Sequence, residues 1–217
     1  IDEDHFRNEA RSYVQAYEGA DVYYAAKAFL TGTIAQWADA EGLRIDVCTM
    51  GEMEIALRAG VDPQRILFHG NNKSVAELRH ALDAGIGRIV VDSFDEISRL
   101  SALAAETGTR PEVLVRVTVG VEAHTHEFIA TAHEDQKFGL ALADGVAAKA
   151  AQQVAQDPHL NLRGLHSHIG SQIFDAAGFE VAAHRMAGLV AELTSQGHPI
   201  AELNLGGGMG IAYTNDD

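Results

Sequence analysis

Residues 43–70 read LRIDVCTMGEMEIALRAGVDPQRILFHG, and the pattern of apolar residues in this stretch changes twice. LRIDVC (43–48) and RILF (65–68) are short apolar runs of strand type, while MEIALRAG (53–60) has helical spacing and ends on glycine, as helices commonly do. Two strand-like runs separated by a helix cannot form a tight hairpin. They call for a crossover connection and hence a parallel pair.

The same alternation extends outward in both directions. Strand-like runs occur at VYYAA (22–26), RIVV (88–91), VLVRVTV (113–119), LRGLHSHI (162–169) and ELNL (202–205). Helical patterns lie between them at TIAQWADAEG (33–42), SVAELRHALDAG (74–85), DEISRLSALAAETG (95–108), residues 143–156 and FEVAAHRMAGLVAELTSQG (179–197). The first four strands recur about every 22 residues, a spacing compact enough for a (β/α) barrel. No GxGxxG follows the first strand, as a Rossmann fold would require. Seven strands are legible where a closed (β/α)8 barrel has eight, so the fold class expected is an incomplete (β/α)8 TIM-type barrel. All of residues 1–217 are assigned to that one partial domain, with an open parallel sheet as the alternative.

The chain has 217 residues, 47% of them hydrophobic, enough for one sizeable globular domain. No apolar run reaches bilayer-spanning length, and the first residues, IDEDHFRNEA, lack the apolar stretch of a secretory signal. An isoleucine start and an end a few residues past a glycine cluster point to an excerpt of a longer protein. Cys48 is the only cysteine, which rules out an intramolecular disulfide and suits a reducing cytoplasmic setting. A net charge of -15 argues against nucleic acid or an anionic membrane as partner. A small molecule is the expected ligand.

In a parallel barrel the carboxyl ends of the strands form the reactive face. Polar residues collect at these ends: Lys27; Asp46, Thr49 and Glu52; His69, Asn71 and Asn72; Asp92 and Ser93; Arg116; His166, His168 and Ser171. Period-two alternation would put Tyr23, Ala25 and Lys27 on one face of the first strand. Lys27 reads either as a lysine snorkelling out of a strand end or as an amine kept reactive enough to form a Schiff base. Gly206, Gly207 and Gly208 allow amides to converge on an anion such as phosphate, or form a plain tight turn. Ser171 could add a hydroxyl to the same phosphate, or serve as a turn residue. The HxH pairs His166/His168 and His124/His126, with Asp92, leave room for a metal-dependent barrel hydrolase. Residues 120–139 are too polar for a core and read as a loop beside the active face. Cys48 reads as a small packed apolar residue.

Taken in order, YYAAKA, IDVCTMGE, HGNNKS, VLVRVTVG, KFGL, HSHIGSQI and LNLGGGMG resemble the barrel half of the alanine-racemase-like, fold type III pyridoxal-phosphate decarboxylases. The resemblance implies pyridoxal 5'-phosphate as cofactor, Lys27 as the lysine joined to it, and His168 as the residue stacked on its ring. It gives Ser171 and Gly206 to Gly208 the phosphate, with Asp46 also binding cofactor and Glu52, Asn71 and Arg116 in the supporting shell. Lys137 matches a position near a subunit interface. HGNNKS and HSHIGSQ favour the branch that decarboxylates meso-2,6-diaminopimelate to L-lysine and carbon dioxide in lysine biosynthesis. Decarboxylases of another basic amino acid or of carboxynorspermidine, and a non-catalytic pyridoxal carrier, are the alternatives on the same barrel. A homodimer with shared active sites is implied, as are a β-domain and further site residues that this sequence does not contain.

Overall fold

The computed structural model describes residues 1–121 and 137–212, and the chain divides into two compact units. The first takes in Ile1–Ile89 and Ala102–Pro111; the second takes in Val90–Ser101 and Glu112–Asp217.

The first unit opens with helix α1 (Glu3–Ala16), which the hydropathy pattern does not single out. Its start is nonetheless built by local chemistry, because the Asp2 side chain accepts the His5 amide at 3.0 Å and Glu3 and Asp4 stand in the first turn. Then come β1 (Tyr23–Ala25), α2 (Gly32–Ala40), β2 (Arg44–Val47), α3 (Met50–Arg58), β3 (Ile66–Phe68), α4 (Val75–Ala84) and β4 (Arg88–Val91), whose last two residues are counted with the second unit. The pairs β1–β2, β2–β3 and β3–β4 are all parallel, with Ala25 opposite Asp46, Val47 opposite Phe68 and Phe68 opposite Ile89. Ile45, Val47, Ile66, Phe68 and Ile89 are buried together with Met53 and Leu78 from the helices. Burial of this apolar surface is the main stabilising term.

Helix α5 (Phe94–Thr107) contributes residues to both units. In the second, β5 (Glu112–Thr118) pairs in parallel with β7 (Asn161–His166), which pairs in parallel with β8 (Glu202–Asn204). A two-residue strand, β6 (Leu140–Ala141), also pairs with β5 and was too short to read from hydropathy. Helices α6 (Val146–Gln156) and α7 (Ala177–Ser195) complete the unit. Both units are thus parallel strands joined through helices, as the alternation predicts.

Several strands are shorter than the sequence implies, and two of these bear on the site. The first ends at Ala25 rather than residue 26, and the sixth ends at His166 rather than residue 169. After His166 only the Ser167 amide continues the pairing, to the Asn204 carbonyl at 2.8 Å, before Gly170 turns the chain at φ 136°. His124 and His126, and most of the loop read at residues 120–139, lie outside the described residues. No helix among the described residues is long and apolar enough to cross a membrane.

Three successive helices begin with the same device. Thr49, Ser74 and Ser93 each accept, through the side-chain oxygen, the amide of the glutamate three residues on: Glu52, Glu77 and Glu96, each at 3.2 Å. In α4 the Glu77 carboxylate returns to the Ser74 amide at 2.9 Å, closing a full capping box. In α3 and α5 the glutamate reaches one residue further back, to the amide of Cys48 at 2.7 Å and of Asp92 at 2.9 Å. Each cap contributes about 1 kcal/mol. The residue directly after β2 and the one directly after β4 are thereby tied to the helix that follows each.

Candidate active site

Lys27 does not lie on the face of β1. It sits in a single 3₁₀ turn, Ala26–Ala28, directly after the strand, so the period-two alternation stops at Ala25 and cannot be carried to residue 27. The turn is held by the buried Ala26 and by the Tyr24 hydroxyl, which donates to the Phe29 carbonyl at 2.6 Å. Lys27 itself is exposed. Its amine therefore needs no costly desolvation to be present at a strand's carboxyl end.

The first unit also carries Asp46, Glu52 and Asn71. Asp46 lies on β2 opposite Ala25, and its Oδ1 is 3.4 Å from His69 Nε2. The Glu52 carboxylate is engaged by the Cys48 amide, so Glu52 acts through the backbone. Asn71 is exposed in the loop after β3. In that loop the sequence reading passed over Lys73, which is only 3% exposed. Its Nζ donates to the Gly70 carbonyl at 2.5 Å and lies 5.6 Å from the Phe68 ring centre, which folds the HGNNKS loop on itself. A lysine among asparagines in a loop gives no hydropathy signal.

Burial, followed by the hydrogen bond to Glu52, pushes the Cys48 thiol up to about 11, and Asp46 adds to this while Lys27 opposes it. The neutral thiol is the form the fold favours. Its contribution to stability is complete below the ordinary thiol pKa and is lost as pH rises through 11. Alkylation of Cys48 by iodoacetamide at pH 8 is accordingly expected to run on the order of 100-fold slower than that of a free cysteine. A mass-spectrometric time course checks this, and a rate within about threefold of the free thiol would refute it.

In the second unit the structure brings His168 and the glycine run together. Gly206 and Gly208 have φ of 73° and 101°, in the region that favours glycine. A Cβ on Gly206 would overlap the Ser167 carbonyl and stand 3.1 Å from His168 Nδ1. A Cβ on Gly208 would overlap the Gly170 carbonyl and stand 3.3 Å from His168 Cε1. The imidazole therefore rests against glycine backbone that no side chain could replace. Gly207 between them faces open space. Ser171 is exposed two residues past Ile169.

Ser167 is 0% exposed, and its hydroxyl has no hydrogen-bond partner among the described residues. An unsatisfied buried hydroxyl is a cost to the fold. Ser167→Ala is expected to leave stability unchanged or raise it by up to about 1 kcal/mol in urea unfolding. A loss above about 2 kcal/mol would mean that the hydroxyl has a partner of consequence.

Arg116 and Asp92 form a buried pair at 3.5 Å, with side chains 8% and 4% exposed. The other Asp92 oxygen accepts the Gly139 amide. The Arg116 guanidinium lies 4.5 Å from the Phe138 ring centre, and the Thr118 hydroxyl donates to the Phe138 carbonyl at 2.5 Å. Asp92 and Arg116 thus hold the KFG segment that leads into β6, and Lys137 at its start is exposed. Among the described residues no three His, Cys, Asp or Glu side chains group as metal ligands.

The family described as pyridoxal-dependent decarboxylase, pyridoxal binding domain, matches residues 3–217. The chain belongs to this family. The pyridoxal-binding domain is 57% identical over 223 residues to the diaminopimelate decarboxylase of Mycobacterium tuberculosis, covering 100% of this chain and 50% of that protein. It is 49% identical to that of Bacillus subtilis, covering 97% and 49%. The crystal structure of diaminopimelate decarboxylase from M. jannaschii in co-complex with L-lysine superposes with TM-score 0.86 at 32% identity, covering 99% of this chain and 50% of that one. The domain therefore spans about half the length of the relatives it matches. Its fold is an incomplete (β/α)8 barrel.

The residues present suit pyridoxal phosphate. An exposed primary amine can condense with an aldehyde, and a glycine run with an open middle position can approach a phosphate closely. An imidazole fixed against that run offers a flat face to an aromatic ring.

Proposed function

We propose that the chain is the cofactor-binding part of a longer enzyme that decarboxylates meso-2,6-diaminopimelate to L-lysine and carbon dioxide, with residues 1–217 forming its partial barrel domain. The observation that carries the reading is the glycine run closed against His168. The high identity to diaminopimelate decarboxylases supports the substrate, and the M. jannaschii relative holds L-lysine, the product of the proposed reaction.

Bound pyridoxal phosphate supplies an electron sink for the pair released when the carboxylate leaves. Lys27 Nζ would be the amine that holds the cofactor, and it would supply the proton returned to the carbon that loses carbon dioxide. The His168 ring, held against the glycine run, would lie against the cofactor and keep water from it. Ser171 Oγ and the amides of Gly206 to Gly208 bind the phosphate. Asp46 contributes to cofactor binding from β2. Glu52, Asn71 and Arg116 act by position: Glu52 sets the Cys48 amide, and Arg116 is held by Asp92. The acidic balance and the single cysteine support a cytoplasmic enzyme that binds neither nucleic acid nor membrane. We further infer a homodimer with shared active sites, in keeping with the family resemblance.

Incubating the full-length protein, loaded with pyridoxal phosphate, with meso-diaminopimelate, L-ornithine, L-arginine and carboxynorspermidine tests the assignment. L-Lysine from the first and little turnover of the others is the expected outcome. Preferred turnover of any other substrate in the panel would reassign the specificity and leave the cofactor chemistry standing.

A further inference from the structure

The segment around Gln172 and the glycine run are zipped together. Ile173 donates its amide to the Gly208 carbonyl at 2.9 Å and accepts the Gly210 amide at 2.9 Å, making an isolated parallel bridge with Met209. The Gln172 side chain adds the next rung. Its Nε2 donates to the Ile211 carbonyl at 2.9 Å, and its Oε1 accepts the Ile211 amide at 3.0 Å. A side-chain amide thus takes the place of a peptide group. Gln172 achieves this at φ 56°, a left-handed conformation that residues with a side chain adopt at a cost. Such a conformation persists only where the surroundings fix it.

At the other end of the run, Gly206 donates its amide to Asn204 Oδ1 at 2.8 Å. The glycines are therefore suspended between two side-chain amides, Asn204 before them and Gln172 beyond them. Glycine loses more conformational freedom on being fixed than any other residue. A run already clamped at both ends has less freedom left to lose when an anion binds. Gln172 also directly follows Ser171, so one clamp sets both of the segments to which phosphate contacts were assigned.

We propose that Gln172 is a positioning residue that preorganises the glycine run for the phosphate of the cofactor; this rests on the function proposed above. The proposal predicts an effect on phosphate recognition rather than on folding.

The test uses apo full-length protein and measures Kd for pyridoxal phosphate and for pyridoxal, which lacks the phosphate, together with thermal stability without ligand. Two variants are compared with wild type. Gln172→Glu keeps the length and the acceptor but sets an oxygen against the Ile211 carbonyl, and Gln172→Gly relieves the backbone while removing the clamp. Both are expected to raise Kd for pyridoxal phosphate about tenfold, the scale of one lost hydrogen bond, with Kd for pyridoxal unchanged within about twofold. The phosphorus-31 shift of the bound cofactor should move as well. Equal weakening of both ligands, no change in either, or failure of both variants to fold would overturn the proposal, because each assigns Gln172 a general structural role or none. If wild type binds neither ligand, the cofactor assignment fails instead, and the role of Gln172 falls with it.

Discussion

Lys27→Ala in the full-length protein is expected to lower lysine formation from meso-diaminopimelate by roughly 10³-fold or more, since it removes both the point of attachment and a positioned proton donor. Lys27 is exposed at the end of a fixed turn, so the same change should leave stability within about 0.5 kcal/mol of wild type. Loss of activity without loss of folding is the signature. The visible absorbance of the cofactor-loaded protein should disappear along with the activity. Lys27→Arg separates charge from nucleophilicity: arginine keeps the positive charge but is protonated throughout, so it should fail as completely as alanine. Retention of both absorbance and turnover in Lys27→Ala would sink the proposed function.

Asp92→Ala carries the second large effect, on stability. Removing one partner of a buried ion pair leaves the other charge uncompensated, which typically costs about 3–5 kcal/mol. Here the Gly139 amide also loses its acceptor. Asp92→Asn keeps an oxygen for Gly139 while removing the charge, so it should be damaged less. If the charge is the larger part, Arg116→Met combined with Asp92→Ala should recover much of the loss. Equilibrium unfolding in urea of wild type, Asp92→Ala, Arg116→Met and the double variant reads the coupling directly. A loss below about 0.5 kcal/mol in Asp92→Ala would refute the importance of the pair.

The alternation of strand and helix is legible in residues 43–92 because each helix there has a clear apolar face and a glycine stop; Gly60 and Gly85 take φ of 91° and 68°. The helix at residues 3–16 escapes notice because only Ala10 of it is buried, so hydropathy has little to report. The glycine run and His168 stand out as candidates from their place at strand ends, but their contact depends on two loops meeting after β7 and β8, which no local pattern encodes. The face of Lys27 is misjudged for a similar reason. Ala26, Lys27 and Ala28 contain no breaker, and the turn is decided by the Tyr24 hydroxyl reaching Phe29. Gln172 is invisible in advance, since glutamine carries no preference for a positive φ.

The glutamates at the helix starts bear on how the molecule could be re-equipped. Glu52 and Glu96 grip the amides of residues 48 and 92, so the path from strand to helix does not depend on the side chains carried there. Position 48 could accept a different functional group while the helix behind it stays in place. Position 92 could not be exchanged as freely, because its carboxylate also secures Arg116 and Gly139. Two junctions built on the same backbone plan thus differ in their tolerance of new chemistry.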